Sequence, residues 1–168
     1  MSARVLILMG SANDWELLRE TATELDRLAV SWEAHVASAH RSLDRTLALV
    51  EKAEREGVEV FVCGAGMAAH LAGVVAARTV RPVLGVPLPG GLNGGMDALL
   101  STVQMPGGVP VATLAVGKAG ARNAAFLAAE ILALGDEELH ARLLEARAAQ
   151  ARAVAAADAT LIREGGGA

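Results

Sequence analysis

The sequence predicts an α/β fold built around a doubly wound parallel sheet. Short apolar runs alternate along the chain with longer helical patterns, which is typical of parallel strands joined by right-handed crossovers. The first, third and fifth runs are nearly all apolar, as strands covered on both faces must be. The 168 residues suffice for one core and contain no evident linker or repeat, so we expect a single domain over residues 1–168.

The core of this domain is expected at residues 4–135, where five strands and five helices alternate. Each strand is predicted where a short apolar run lies between turn residues, in order at 5–9, 31–37, 58–63, 82–87 and 110–116. Each helix is predicted where a longer helical pattern fills the interval, in order at 14–28, 43–56, 68–79, 96–104 and 119–134.

The last part of the chain, residues 136–163, is predicted to be one helix that docks on a neighbouring subunit. It is rich in Ala, which has the highest helix propensity. Its apolar stripe is thin and consists of Leu139, Leu143, Leu144, Val154, Leu161 and Ile162. Because the sheet faces already have helices, docking on a neighbour explains this pattern better than the alternative, a frayed terminus. Residues 165–168 are expected to be disordered.

Composition excludes several classes of partner. Aromatic residues make up 2% of the chain and the net charge is −4, so we expect no nucleic-acid partner. Cys63 is the only cysteine, which excludes an intrachain disulfide and a cysteine-based metal cluster. The four histidines have no carboxylate partner at ligand spacing, so no metal site is expected.

The chain also lacks the patterns of a targeting or membrane segment. It enters its first strand at Arg4 without a charged-then-apolar leader. Charges, Gly or Pro interrupt each apolar run before it reaches the length of a membrane span. The sequence therefore predicts a cytoplasmic protein without a membrane partner.

The turn after the first strand, from Gly10 to Asp14, is a candidate ligand site. It opens a helix whose unpaired N–H groups favour an anion such as phosphate. Ser11 and Asn13 can donate to such a group, and Asp14 can hold ribose hydroxyls. The alternative is plain capping of the helix by Asn13 or Asp14.

The turn after the second strand contains Ser38, Ala39, His40 and Arg41. An unperturbed histidine titrates near pH 6.5, so His40 can both give and take a proton. Arg41 can form paired hydrogen bonds to a phosphate, and Ser38 can donate to the same group. The alternative is that Arg41 is a solvated residue at the helix start and His40 a surface residue, but a helix start disfavours a cation unless an anion neutralises it.

The turn after the third strand contains Gly64, Gly66 and His70, and the glycines let the backbone approach a ligand closely. A satisfied, partly buried histidine is the alternative for His70. Because carboxyl ends of parallel strands share one edge, the three turns predict one site for a small phosphorylated molecule. The Gly/Pro-rich segments 85–97 and 104–110 are interpreted as ligand loops, the first as a mobile cover.

These motifs resemble the PurE family of purine biosynthesis, which comprises 5-(carboxyamino)imidazole ribonucleotide mutases and aminoimidazole ribonucleotide carboxylases. The resemblance extends over about residues 5–150. The matching strings are MGSANDW, VASAHRS, CGAGMAAHLAGVVAA, VPLPGGLNGGMDALLSTVQMPGGVPVATLAVGKAGARNAAFLAAEIL and ELHARL.

The resemblance implies a three-layer flavodoxin-like fold and a homo-octamer whose sites draw on more than one subunit. It implies that the carboxy-terminal helix reaches a neighbour. It further implies a reaction without metal, ATP or organic cofactor, in which a carboxylate moves from an exocyclic nitrogen to carbon 4 of an imidazole. In that scheme carbon dioxide is released, trapped and attacked by carbon 4.

Matched residue by residue, the resemblance implies that His40 is the catalytic acid and base. The first turn matches the ribose and phosphate loop, the second a phosphate-binding pair, and the third the lining of the imidazole and carboxylate. The implied substrate-binding residues are Ser11, Asn13, Asp14, Ser38, Ala39, Arg41, Gly66 and His70.

Two features depart from the family pattern. Asn13 stands where a second serine is usual, and Pro89-Gly90 with residues 93–95 replaces the usual cover-loop sequence. Arg41 and the AAHL string resemble the mutase class. The alternatives are a direct carboxylase of this or another nucleotide, and a flavin- or nucleotide-binding module without catalysis.

Overall fold

A computed structural model describes residues 2–165 of the protein, with side chains through residue 162. The strands are β1 Val5–Met9, β2 Trp32–Val36, β3 Val60–Gly66, β4 Val83–Leu88 and β5 Ala112–Thr113. The helices are α1 Trp15–Arg27, α2 Leu43–Arg55, α3 Leu71–Ala76, α4 Met96–Val103, α5 Lys118–Leu132 and α6 Glu137–Gly165. Short 3₁₀ turns occupy Ala12–Asp14, Leu92–Gly94 and Ala133–Gly135.

The five strands form one parallel sheet in the order β2-β1-β3-β4-β5. β1 lies between β2 and β3, so that Ile7 is in register with Ala34 on one side and Val62 on the other. This order is flavodoxin-like, and the direction of winding reverses beside β1. The predicted α/β fold class is confirmed.

The two faces of the sheet carry separate cores, because successive side chains of a strand point to opposite faces. Val5 and Ile7 pack with apolar residues of α1, α5 and the start of α6. Leu6 and Leu8 pack with those of α2 and α3. α4 packs against β4 and β5 at one edge. The sheet is therefore the middle of three layers.

The fifth strand is much shorter than the predicted range 110–116. Only Ala112 and Thr113 pair with β4, opposite Leu84 and Gly85. β5 lies at the sheet edge with a single neighbour, and Ala112 is exposed. The expectation that this strand is covered on both faces was wrong, since an apolar run alone does not distinguish an edge strand from a central one.

The third strand is longer than predicted and the helix after it is shorter. β3 continues beyond Cys63 through Gly66, because Gly64 to Gly66 remain paired with β4. The predicted helix 68–79 is reduced to α3, which begins only after His70. Met67 has a positive φ of 54°, a conformation that does not continue into a right-handed helix.

The carboxy-terminal helix α6 covers most of the predicted range 136–163 and extends through Gly165. Leu139 and Leu143 are buried in the core, whereas residues 151–162 are all exposed. Of the disorder expected at 165–168, the part at residues 166–168 lies outside the described residues. Within the described range, no helix combines the length and the apolar character needed to cross a bilayer.

Candidate active site

The three polar turns meet at one cleft, at the carboxyl ends of the strands. Its volume is ≈ 490 Å³. The cleft lies where β1 is flanked by β2 and β3, at the reversal of winding where ligands bind in open α/β sheets. Its lining comprises Gly10, Ser11, Asp14, Ser38, Ala39, His40, Arg41, Ala65, Gly66, Met67, Ala68, His70, Leu71, Pro89 and Gly90.

This lining includes eight of the nine residues that the sequence predicted for the site. Asn13 is the exception: it is exposed on the first turn and is not part of the cleft lining in this chain. Its backbone N–H donates to Ser11 Oγ at 3.3 Å. The role expected for the Asn13 side chain therefore stays a prediction.

The first turn is held by a reciprocal pair of capping bonds between Ser11 and Asp14. Ser11 is the N-cap of the 3₁₀ turn, and its backbone N–H donates to Asp14 Oδ2 at 2.9 Å. Asp14 precedes α1, yet its side chain makes no capping bond to that helix. Capping thus occurs at the 3₁₀ turn Ala12–Asp14, through Ser11 and Asp14 together, and not at the start of α1, where the side chain of Asp14 does not cap the helix.

The carboxyl of Asp14 lies in the cleft, close to a cation. Partial burial is the largest influence and raises the pKa of Asp14, while the Ser11 N–H and the charge of Arg41 act in the opposite direction. Because the pKa of Asp14 is raised in the folded protein, ionisation of this carboxyl is less favourable there than in the unfolded chain. The fold therefore loses stability as the pH rises above 3.8, the ordinary pKa of the group. A charged group kept at such a cost is typical of functional sites.

The second turn places the guanidinium of Arg41 against the backbone of the first turn. Arg41 Nη2 donates to the carbonyl oxygen of Gly10 at 3.0 Å, and Arg41 Nε donates to Ser38 Oγ at 3.3 Å. These bonds fix the position of the arginine but leave other N–H groups of its five for a ligand. Arg41 has no carboxylate within ion-pair distance among the described residues, so an anionic ligand would be its natural partner.

The second and third turns are joined by a pair of histidines. His40 Nε2 lies 2.7 Å from His70 Nδ1, and the two rings meet edge to face with centroids 4.8 Å apart. Because only one hydrogen can lie between these two nitrogens, one ring donates and the other accepts. Both residues are exposed. In this chain His70 is exposed rather than partly buried, and its hydrogen-bond partner is His40, the predicted proton carrier.

The glycines of the third turn have two different roles. Gly64 is buried, and an added Cβ would lie 2.5 Å from Leu18 Cδ1 of α1. Its lack of a side chain therefore serves helix-on-sheet packing, not the close ligand approach that we expected. Gly66 does line the cleft, and Met67, with its side chain 65% exposed, stands at the rim.

Of the two predicted ligand loops, only one reaches the cleft. Pro89 and Gly90, which follow β4, contribute to its lining. The loop 104–110 lies at the opposite edge, where Gly108 and Pro110 line a different cavity. The loop 104–110 therefore does not line the cleft of its own chain, because a loop that leads into a parallel strand lies at the amino ends, away from the carboxyl ends where the site forms.

Sequence reasoning missed several residues of the site. Ser42 and Arg45 line a second cavity that adjoins the cleft. Arg45 lies four residues after Arg41, but Arg41 precedes α2, which begins at Leu43, so helix spacing alone does not place the two side chains together. Met67 and Pro89 lie in segments that the sequence did assign to the site, namely the third turn and the ligand loop 85–97.

Comparison with known proteins is consistent with this geometry. A family profile described as AIR carboxylase matches residues 4–153. The chain is 53% identical over 155 residues to the N5-carboxyaminoimidazole ribonucleotide mutase of Brucella melitensis, covering 92% of this chain and 96% of that protein. It is 52% identical over 154 residues to the mutase of the same name from Pseudomonas aeruginosa, covering 92% and 94%.

The solved structure of Treponema denticola PurE is similar in fold, with a TM-score of 0.85 and 26% sequence identity. The match covers 94% of this chain and 97% of that one. The family profile spans most of the sequence, and the sequence relatives are aligned over nearly their full length. The chain belongs to the AIR carboxylase family.

Proposed function

We propose that the protein converts 5-(carboxyamino)imidazole ribonucleotide to 4-carboxy-5-aminoimidazole ribonucleotide in purine biosynthesis. The observation that carries this proposal is the meeting of His40 with Ser38 and Arg41 in one cleft. That arrangement offers a proton carrier beside groups suited to a phosphate. The mutase names of relatives that are 52–53% identical support the same activity.

The polar groups of the cleft match the parts of a ribonucleotide. Ser11, Ser38 and Arg41 supply hydroxyl and guanidinium donors for the phosphate. Asp14 is an acceptor for ribose hydroxyls. Gly66 and His70 belong to the third turn and line the same cleft as His40, and we assign to them the imidazole and carboxylate. The substrate would then place its reacting atoms at the histidine pair.

The chemistry that we assign to His40 moves one proton twice. When the C–N bond of the carbamate breaks, its electron pair returns to nitrogen, which takes a proton from His40 as carbon dioxide forms. Carbon 4 of the imidazole then attacks the carbon dioxide, and the new tetrahedral centre still bears a hydrogen. His40 removes that proton, which restores the aromatic ring and returns the histidine to its starting state.

His70 is assigned a positioning role toward His40. The 2.7 Å contact between their ring nitrogens selects which nitrogen of His40 carries the hydrogen, in the way that a hydrogen-bond partner sets the tautomer of a catalytic histidine. No metal or organic cofactor enters this scheme. Within the described residues, no group of three or more His, Cys, Asp or Glu side chains is arranged to hold a metal ion.

We further propose a cytoplasmic homo-octamer in which α6 contacts a neighbouring subunit. Leu144, Val154, Leu161 and Ile162 are 58–71% exposed along α6, and apolar surface of this kind favours association. The short α4 adds a second apolar surface with Met96, Leu100 and Val103, which are 47–50% exposed. No nucleic-acid or membrane partner is proposed.

The function is tested by an ultraviolet assay of the purified protein with two substrates in parallel. One reaction contains 5-(carboxyamino)imidazole ribonucleotide at low bicarbonate, and the other contains aminoimidazole ribonucleotide with added bicarbonate. We expect 4-carboxy product from the first. Product from the second alone would replace the mutase with a direct carboxylase, and no product from either would point to another nucleotide or to a non-catalytic module.

Replacing Arg41 is expected to weaken substrate binding more than turnover. A phosphate contact acts on ground state and transition state alike, so Arg41→Ala should raise KM about ten- to a hundredfold with little change in kcat. Arg41→Lys should recover part of this loss, because lysine keeps the charge but cannot form the paired bonds. Steady-state kinetics check this, and a fall in kcat at unchanged KM would contradict it.

A further inference from the structure

A second cavity of ≈ 490 Å³ adjoins the candidate active site on its outer side. It shares four lining residues with the cleft, namely Gly10, Ser11, Ser38 and Arg41. Its other lining residues are Ala12, Val36, Ser42 and Arg45. The shared residues show that the two cavities are adjacent, and Arg41 lines both.

The lining of this outer cavity has the chemistry of an anion site. It contains two guanidinium groups, from Arg41 and Arg45, and the hydroxyls of Ser11 and Ser38, but no carboxylate. The Ser42 hydroxyl, which also lines it, donates to the Ser38 carbonyl oxygen at 3.2 Å. The carboxyl of Asp14 lines the inner cleft alone. Hydroxyl and guanidinium donors without a competing acid are suited to a group with several acceptor oxygens and a double negative charge.

Arg45 differs from most arginines of the described chain. Eight of them form an ion pair with a carboxylate: Arg4, Arg27, Arg55, Arg78, Arg122, Arg142, Arg147 and Arg152. Among the described side chains, Arg45 has neither an ion pair nor a hydrogen bond. It is exposed and lies in the first turn of α2. Its guanidinium therefore remains available to a ligand.

The two arginines of the cavity are held differently. Arg41 is fixed by its bonds to the Gly10 carbonyl and Ser38 Oγ, whereas no side-chain hydrogen bond within the described part of the chain holds Arg45. Two like charges that line one cavity repel each other, and an anion between them removes that cost. The fixed arginine would set the position of the anion, and Arg45 would close on it from the solvent side.

We propose that Arg45 is a specificity-determining residue that recognises the phosphomonoester of the substrate at this outer cavity. The assignment rests on the proposed function for the identity of the whole substrate, while the ligand class follows from the lining itself. Arg45 acts here on binding alone, because it is not part of the lining around His40. Its presence should make the site prefer a nucleotide over the matching nucleoside.

The test compares Arg45→Ala with a matched control that removes the same charge elsewhere. Arg81 is exposed and lines a cavity at the opposite edge of the sheet, so Arg81→Ala reports the effect of net charge alone. Calorimetry measures the Kd of aminoimidazole ribonucleotide, of the corresponding nucleoside and of ribose 5-phosphate. Thermal melting verifies that each variant folds.

We expect Arg45→Ala to weaken the nucleotide and ribose 5-phosphate about tenfold and to leave the nucleoside unchanged. The Kd of the nucleotide should also become less dependent on salt. Arg45→Lys should recover most of the affinity, and Arg81→Ala should bind like the unaltered protein. The same loss for nucleoside and nucleotide, or equal Kd values in Arg45→Ala and Arg81→Ala, would overturn the proposal.

Binding of ribose 5-phosphate distinguishes a failure of the role proposed for Arg45 from a failure of the proposed function. If the ultraviolet assay gives no product but ribose 5-phosphate binding still depends on Arg45, the assigned reaction fails and the phosphate site stands. If the unaltered protein catalyses the reaction but Arg45→Ala has the same KM and the same ribose 5-phosphate affinity, the reaction stands and the role of Arg45 fails. Failure of the unaltered protein to bind any phosphomonoester would overturn the role as well.

Discussion

His40→Asn is expected to abolish turnover while leaving the fold and substrate binding largely intact. Asparagine keeps a polar group of similar reach but cannot carry a proton near neutral pH, and the assigned reaction needs a proton given to nitrogen and one taken from carbon. A general acid or base contributes about 10²–10⁴-fold to the rate. Because His40 fills both roles, we expect the rate of turnover to fall by about 10⁴-fold or more. Single-turnover kinetics and calorimetric binding measure the two effects separately.

Two other histidines serve as comparisons for this variant. His140 is exposed on α6, far along the chain from the cleft, and His140→Asn should behave like the unaltered protein. His70→Asn should reduce kcat less than His40→Asn, because it removes a positioning contact but leaves the proton carrier. Near-normal turnover in His40→Asn would disprove the assigned role, and an equal loss in His70→Asn would mean that the two rings share it.

Gly120→Ala is expected to lower the free energy of unfolding by about 3 kcal/mol. Gly120 is buried in α5, and a Cβ added there would overlap the carbonyl group of Ala115. In an open helix the same change would stabilise by up to about 1 kcal/mol, because alanine has the higher helix propensity. At Gly120 the steric clash should outweigh the gain in helix propensity, because the clashing atoms belong to the backbone of Ala115 and cannot rotate away as a side chain would.

Urea unfolding measures this effect, with Gly107→Ala as the matched control. Among the described residues, an added Cβ at Gly107 has no atom within 4 Å, so that variant should stay within about 0.5 kcal/mol of the unaltered protein. A Gly120→Ala protein as stable as the Gly107→Ala protein would show that α5 can move away from residue 115. The result would then argue against tight packing between this helix and the chain that precedes it.

Most of the layered fold could be predicted because its signals are local. The apolar run Val5–Met9 is β1 without a change of boundary, and α2 begins at the predicted Leu43. The elements that differed are those whose limits depend on neighbours. β5 is short because it has one pairing partner, and β3 is long because Gly64–Gly66 continue to pair with β4.

The sequence by itself determined which residue types could do chemistry and at which strand ends they lie, because motif spacing and the carboxyl ends of parallel strands are readable from the order of residues. Only the tertiary structure decided which of these groups touch. His40 meets His70 across 30 residues, and Arg41 meets the Gly10 carbonyl across 31. Such contacts depend on the register of separate strands and on turn conformation, which no local pattern encodes.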